Sequence, residues 1–305
     1  MNLFGSTTTT PIASNSLNRS RFRRTMLAWA VCLLLTSTCF SQAPTFITFD
    51  VPGGTGTLAV AINPMGAIAG DYIGAGDALH GFVRAPGGAI TTFDPPGSAF
   101  TQAFGINPMG AITGQYFDTN GVIHGFVRAP GGTITTFDAP GAFDTEPAAI
   151  NPAGTITGFY RDANGGVHGF LRAAVGAFTT FYVPAAFGTV ALAINPMGTI
   201  TGDYVDASNV THGFVRAPGG TIITFDPPGS VFTQALSINP MGMITGFYTD
   251  ASNITHAFVR APGGAITTFD PPGSAFTQAF GINPMGAITG TYTDASGTHG
   301  FLRNP

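Results

Sequence analysis

The stretch HGFVRAPGGAITTFD, residues 80–94, places two short runs rich in β-branched and aromatic residues around Ala-Pro-Gly-Gly, and it reads as a β-hairpin. Pro in second place and Gly in fourth suit a type I turn closed by a left-handed glycine, which forms a bulged hairpin. A type II turn would need positive φ at the third residue. The copy at residues 173–176 has Val175 there, a β-branched side chain that resists it, while Gly176 is kept. This turn sets Ala85 against Ala89, Gly81 against Phe93 and His80 against Asp94, so His80, Phe82 and Arg84 share one face with Asp94.

The hairpin recurs. INPMG, once INPAG, begins at Ile62, Ile106, Ile150, Ile194, Ile238 and Ile282, in steps of 44 residues. The Phe of the last run keeps the same step at 49, 93, 137, 181, 225 and 269. His80, His124, His168, His212, His256 and His299 follow it until the last copy, which is one residue short. Within residues 102–138 four strands are predicted, QAFGIN, AITGQYFD, IHGFVRA and TITTFD, each bounded by Gly, Pro, Asn or Asp. Four strands in 44 residues is the size of a propeller blade. In the first hairpin Phe104 is expected to face Gly114, a ring over bare backbone.

TFITFD, residues 45–50, is a fourth strand without its third; HGFLRNP, residues 299–305, is a third without its fourth. Their pairing would close a ring and remove exposed edges. The expected fold is all-β, a six-bladed β-propeller of four-stranded blades closed by the N-terminal strand on the C-terminal blade. A β-sandwich, a prism or an open array are the alternatives. The NPMG and APGG turns are expected on one face, and the longer connectors, such as DTNGVI and PPGSAFTQ, on the ligand-binding face.

Composition agrees, with 43 Gly, 23 Pro and 9% charged residues in 305. There are 11 basic residues, all Arg, against 15 acids. Four of the arginines fall at Arg19, Arg21, Arg23 and Arg24, leaving 7 − 15 = −8 beyond them, which argues against a nucleic-acid partner. Those arginines precede the apolar run MLAWAVCLLL and the small residues STCFSQA, the pattern of an export signal over residues 1–43. Arg23-Arg24 resembles a twin-arginine signal, and Cys39 offers a lipoprotein alternative. Residues 44–305 are then one exported domain, extracellular or in the periplasm or cell envelope, acting as a monomer with no stable membrane span. Both cysteines, Cys32 and Cys39, and the only tryptophan, Trp29, leave with the signal, so no disulfide or thiolate site remains.

The HGF or HAF core (His256-Ala257-Phe258 in the fifth copy), the NP-G turns and the exported N-terminus together resemble the extracellular HAF-repeat family. The resemblance spans nearly all of residues 44–305, although five copies carry Gly in place of Ala. It implies export and repeated β structure; it supplies no catalytic residues.

Each repeat contributes a His, an Arg and an Asp, read as a His–Asp or Arg–Asp bridge between the third and fourth strands. Tyr182 replaces that Asp in the copy with His168. Six histidines on separate blades do not converge on a metal, and no cofactor is expected. Tyr72, Tyr116, Tyr160, Tyr204, Tyr248 and Tyr292 form a ladder, either core or sugar-stacking platforms. The Asp-Asn/Ser connectors read as turn chemistry, lacking the carboxylates of a calcium loop. Symmetry breaks at Asp144, Glu146 and Arg161, and at Asp71 and Asp203, where other copies hold Gln115, Phe159, Phe247 and Thr291. A unique site in a ring must use unique residues. The chain is therefore expected to be a secreted, non-catalytic scaffold for a glycan or a cell-envelope partner, with a polysaccharide-acting enzyme using Asp144 and Glu146 as the alternative.

Overall fold

A computed structural model of the chain describes residues 47–305. The export segment with Trp29, Cys32 and Cys39, and the first residues of the expected N-terminal strand, Thr45 and Phe46, lie outside the described residues. Asp50–Pro305 form a compact unit, and no helix occurs among the described residues.

The first repeat folds as β1 (Gly56–Ile62), β2 (Ile68–Ile73), β3 (Leu79–Arg84) and β4 (Ile90–Phe93), an antiparallel sheet in chain order. The second is β5 (Ser98–Ile106), β6 (Ile112–Asp118), β7 (Ile123–Arg128) and β8 (Ile134–Phe137). The next three repeat this order as β9–β12 (142–181), β13–β16 (188–225) and β17–β20 (230–269). The chain ends with β21 (Phe276–Ile282), β22 (Ile288–Asp294) and β23 (Gly297–Arg303).

The turn reading fits in detail. Gly88 donates to the Ala85 carbonyl and Ala85 to that of Ala89, and Gly88 has φ of 96°. Gly176 has φ of 95°, while Val175 is not among the residues of positive φ. Gly81 pairs with Phe93 as expected. The connectors are tighter than expected. Asp118 Oδ1 accepts from the N–H of Asn120 and Val122, so DTNGVI closes as a tight turn, and most of PPGSAFTQ is strand β5. Neither face therefore carries long loops.

Two expectations are corrected. Phe104 does not face Gly114; Ala103 does, because a bulge between Ala103 and Gly105 leaves Phe104 unpaired. The ring that covers Gly114 is Phe126, from the third strand of the same blade. Second, among the described residues, 47–50 carry no strand, β23 pairs with β22 alone, and no sheet closes on itself. Every other fourth strand follows its third through a tight turn, whereas this one would have to close a loop the length of the chain, at a larger entropy cost.

Core lies between successive units. Ala69 and Phe93 of the first cluster with Ile112, Tyr116 and Phe126 of the second, and Phe137 with Ile156 and Phe170 in the next layer. The arginine of each third strand crosses the same boundary. Arg128, Arg172, Arg216, Arg260 and Arg303 lie over Phe93, Phe137, Phe181, Phe225 and Phe269 of the unit before, 4.6–5.1 Å from the ring centroids. These five arginines thus do not make the Arg–Asp bridge, since the guanidinium is spent on the neighbouring blade.

An asparagine ladder adds a second stitch. Nδ2 of Asn63, Asn107, Asn151, Asn195 and Asn239 each donates to the backbone carbonyl of the next in the series, ending on Asn283, at 3.2–3.5 Å. Their Oδ1 atoms hold their own NPMG or NPAG turns, as Asn107 does by accepting from Ala111 N–H. The first and last units lack one neighbour each. Ile62 is 68% exposed where Ile106 is 9%, and Leu302 is 65% exposed.

Candidate functional site

Strand register brings the repeated tyrosine, histidine and aspartates together. Tyr116 pairs with His124, and their rings stack at 5.1 Å. His124 Nδ1 lies 2.9 Å from Asp138 Oδ1, and its Nε2 3.9 Å from Asp118 Oδ2. His212 and His256 are held the same way between Asp206 and Asp226 and between Asp250 and Asp270. Burial lowers the pKa of these two imidazoles, but their hydrogen bonds to the strand-end and connector aspartates and those carboxylates' charges outweigh it, for a net upward shift. His80 keeps only Asp94, because Gly74 stands at the connector position. His168 and His299 keep only Asp162 and Asp294.

These clusters brace their own blades. Tyr116, Tyr160 and Tyr248 are buried, Tyr72, Tyr204 and Tyr292 half-buried, and each ring lies against its histidine, so one face of every tyrosine is already covered. Among the described residues no group of three or more His, Cys, Asp or Glu is placed to hold a metal ion.

The bulge that displaces Phe104 recurs in every first strand. The bulged residues Val60, Phe104, Ala148, Leu192 and Leu236, from five units, line one cavity of about 350 Å³. The inner strands of these units therefore curl around a common space. Gln115, Phe159, Pro147 and Glu146 complete its wall, and Glu146 is its only ionisable group. Burial pushes the Glu146 carboxyl up, Arg161 pulls it down, and Asp144 pushes it up again. Asp144 is buried, accepts from the Ile123 N–H at 3.1 Å and meets Arg161 Nη1 at 3.3 Å. The three symmetry-breaking residues thus form one cluster at the boundary of the second and third units.

Asp71 and Asp203 are buried as well, and desolvation raises them to about 6 and about 7. Asp71 is lower because it is less desolvated and because the Ala103 N–H, from the next unit, supports its charge. Asp203 Oδ1 has no hydrogen-bond partner.

Sequence reasoning missed the asparagine ladder and the stacked arginines. Their repetition was visible, but their partners lie in the next unit or the one before, where periodicity gives no direction.

Comparison with solved structures identifies the architecture. The chain is similar to the β-propeller domain of the Trilobed protease from Pyrococcus furiosus, described as having an open velcro topology (TM-score 0.60, 8% identity, 81% of this chain and 82% of that one). It is also similar to virginiamycin B lyase from Staphylococcus aureus (TM-score 0.55, 12% identity, 81% and 84%) and to TolB from Acinetobacter baumannii (TM-score 0.51, 15% identity, 70% and 53%). At such identities the likeness shows the fold alone, an all-β propeller. No family model and no curated protein matches the sequence.

Proposed function

We propose that the protein is an exported, non-catalytic scaffold of the HAF-repeat type, a six-bladed propeller that binds a glycan or a cell-envelope partner. The observation that carries the binding reading is the cavity around Glu146. Five units contribute apolar side chains to it, while the repeated His, Tyr and Asp groups are occupied in bracing. An apolar cavity with one charged group is suited to holding a ligand in one orientation.

An enzyme acting on polysaccharide is the second reading, favoured by a raised Glu146 carboxyl beside Asp144. One experiment separates them: a glycan panel screened by native mass spectrometry, counting occupied sites and looking for cleaved products. One bound copy without products supports the scaffold with a unique site, five or six copies a repeat-borne site. Products that vanish in the double variant D144A/E146A would establish the enzyme, and no bound glycan would remove the glycan arm.

A further inference from the structure

The stacked arginines are buried cations without carboxylate partners. Arg128, Arg172, Arg216 and Arg260 are 5–7% exposed, and each makes one hydrogen bond or none, from Nη1 to the carbonyl of the following residue. None has an ion pair among the described residues, and the Nε of each is buried with no acceptor. A desolvated guanidinium with a free donor recruits an anion wherever one can reach it.

Arg216 lines a groove at the boundary where the repeat breaks. In the first, second, fourth and fifth units the strand-end position holds Asp94, Asp138, Asp226 and Asp270, each bound to its own histidine. Asp270 lines the groove that holds Arg303, so at that boundary the carboxylate shares the arginine's groove. In the third unit the position is Tyr182, 65% exposed. The groove beside it, about 410 Å³, is lined by Phe181, Tyr182, Pro184, Arg216, Gly220 and Ile222 and contains no acid. Arg216 lies 4.8 Å over the Phe181 ring, which fixes the guanidinium plane.

We infer that this groove binds a carboxylate carried on a six-membered ring, the uronate unit of an acidic glycan, with Arg216 taking the carboxylate and Tyr182 stacking on the ring. Tyrosine offers an exposed π face where the other copies present a negative charge, and guanidinium matches a carboxylate in plane and donor spacing. The inference rests on the scaffold reading and names its ligand class at one site.

The test is titration of the purified protein with sodium glucuronate, followed by saturation-transfer NMR and calorimetry, with glucose and benzoate as controls. The expected result is one equivalent of glucuronate bound, weakened by salt, with glucose silent. Tyr182→Asp restores the residue of the other copies and gives His168 the partner its counterparts have, so the variant should fold; it should weaken binding at least about tenfold. Arg216→Gln should do the same, and Arg128→Gln should leave it unchanged. Equal binding by Tyr182→Asp, several equivalents, benzoate binding alone, or no binding of glucuronate would each overturn the inference. A glycan from the panel bound elsewhere would then leave the scaffold reading standing.

Discussion

Asp203 offers a quantitative check on the inner strands. Its side chain is 5% exposed, faces Val190 across the pair, and has one oxygen without a hydrogen bond. Desolvation lifts its carboxyl from 3.8 to about 7. Between those values the folded chain holds a proton that the unfolded chain has released, so stability falls as pH rises, and the full penalty is present above pH 7. Asp203→Asn keeps the shape and removes the titration. A shift of that size corresponds to about 4 kcal/mol at pH 8, of which about 3 kcal/mol accumulates between pH 5 and pH 8. The variant's advantage over the parent should grow by that amount across the interval, a Tm difference widening by about 6–12 °C. Groups common to both chains cancel in this comparison. Thermal melts at half-unit pH steps read it directly, and parallel curves for parent and variant would refute the burial argument.

Two further outcomes follow from the geometry. Gly114→Ala would drive a methyl into the Gln102 carbonyl oxygen, in backbone that cannot yield, and should cost at least about 3 kcal/mol; Gly125→Ala meets only the edge of the Phe137 ring, a contact the fifth unit already tolerates at Ala257, and should cost about 1 kcal/mol. Urea melts giving equal losses for the two would contradict the register. His212→Ala removes a ring held between two carboxylates, so its loss should be larger at pH 6 than at pH 8.5: a raised imidazole adds stability below its unfolded value of 6.5, and this is lost as pH passes its folded value. A pH-independent loss in thermal melts would mean that His212 braces by stacking alone.

What the sequence determined by itself is what is local and repeated. Pro and Gly at set places dictate the turn, the turn dictates register, and register puts His80 opposite Asp94 without any knowledge of the fold. The 44-residue step made the unit and its number legible for the same reason. Tyr182, Asp144, Glu146 and Arg161 were visible as departures from that repeat. Only the tertiary structure decided what the departures do. A bulge shifts register by one residue with no mark in the sequence, and it turned Phe104 from a cover for Gly114 into the wall of a cavity. Which blade receives each arginine, where each asparagine donates, and what lines the groove beside Tyr182 depend on how successive units stack. That stacking is a long-range choice made by burial of Phe126, Ile156 and their counterparts, and periodicity along one chain does not encode its direction.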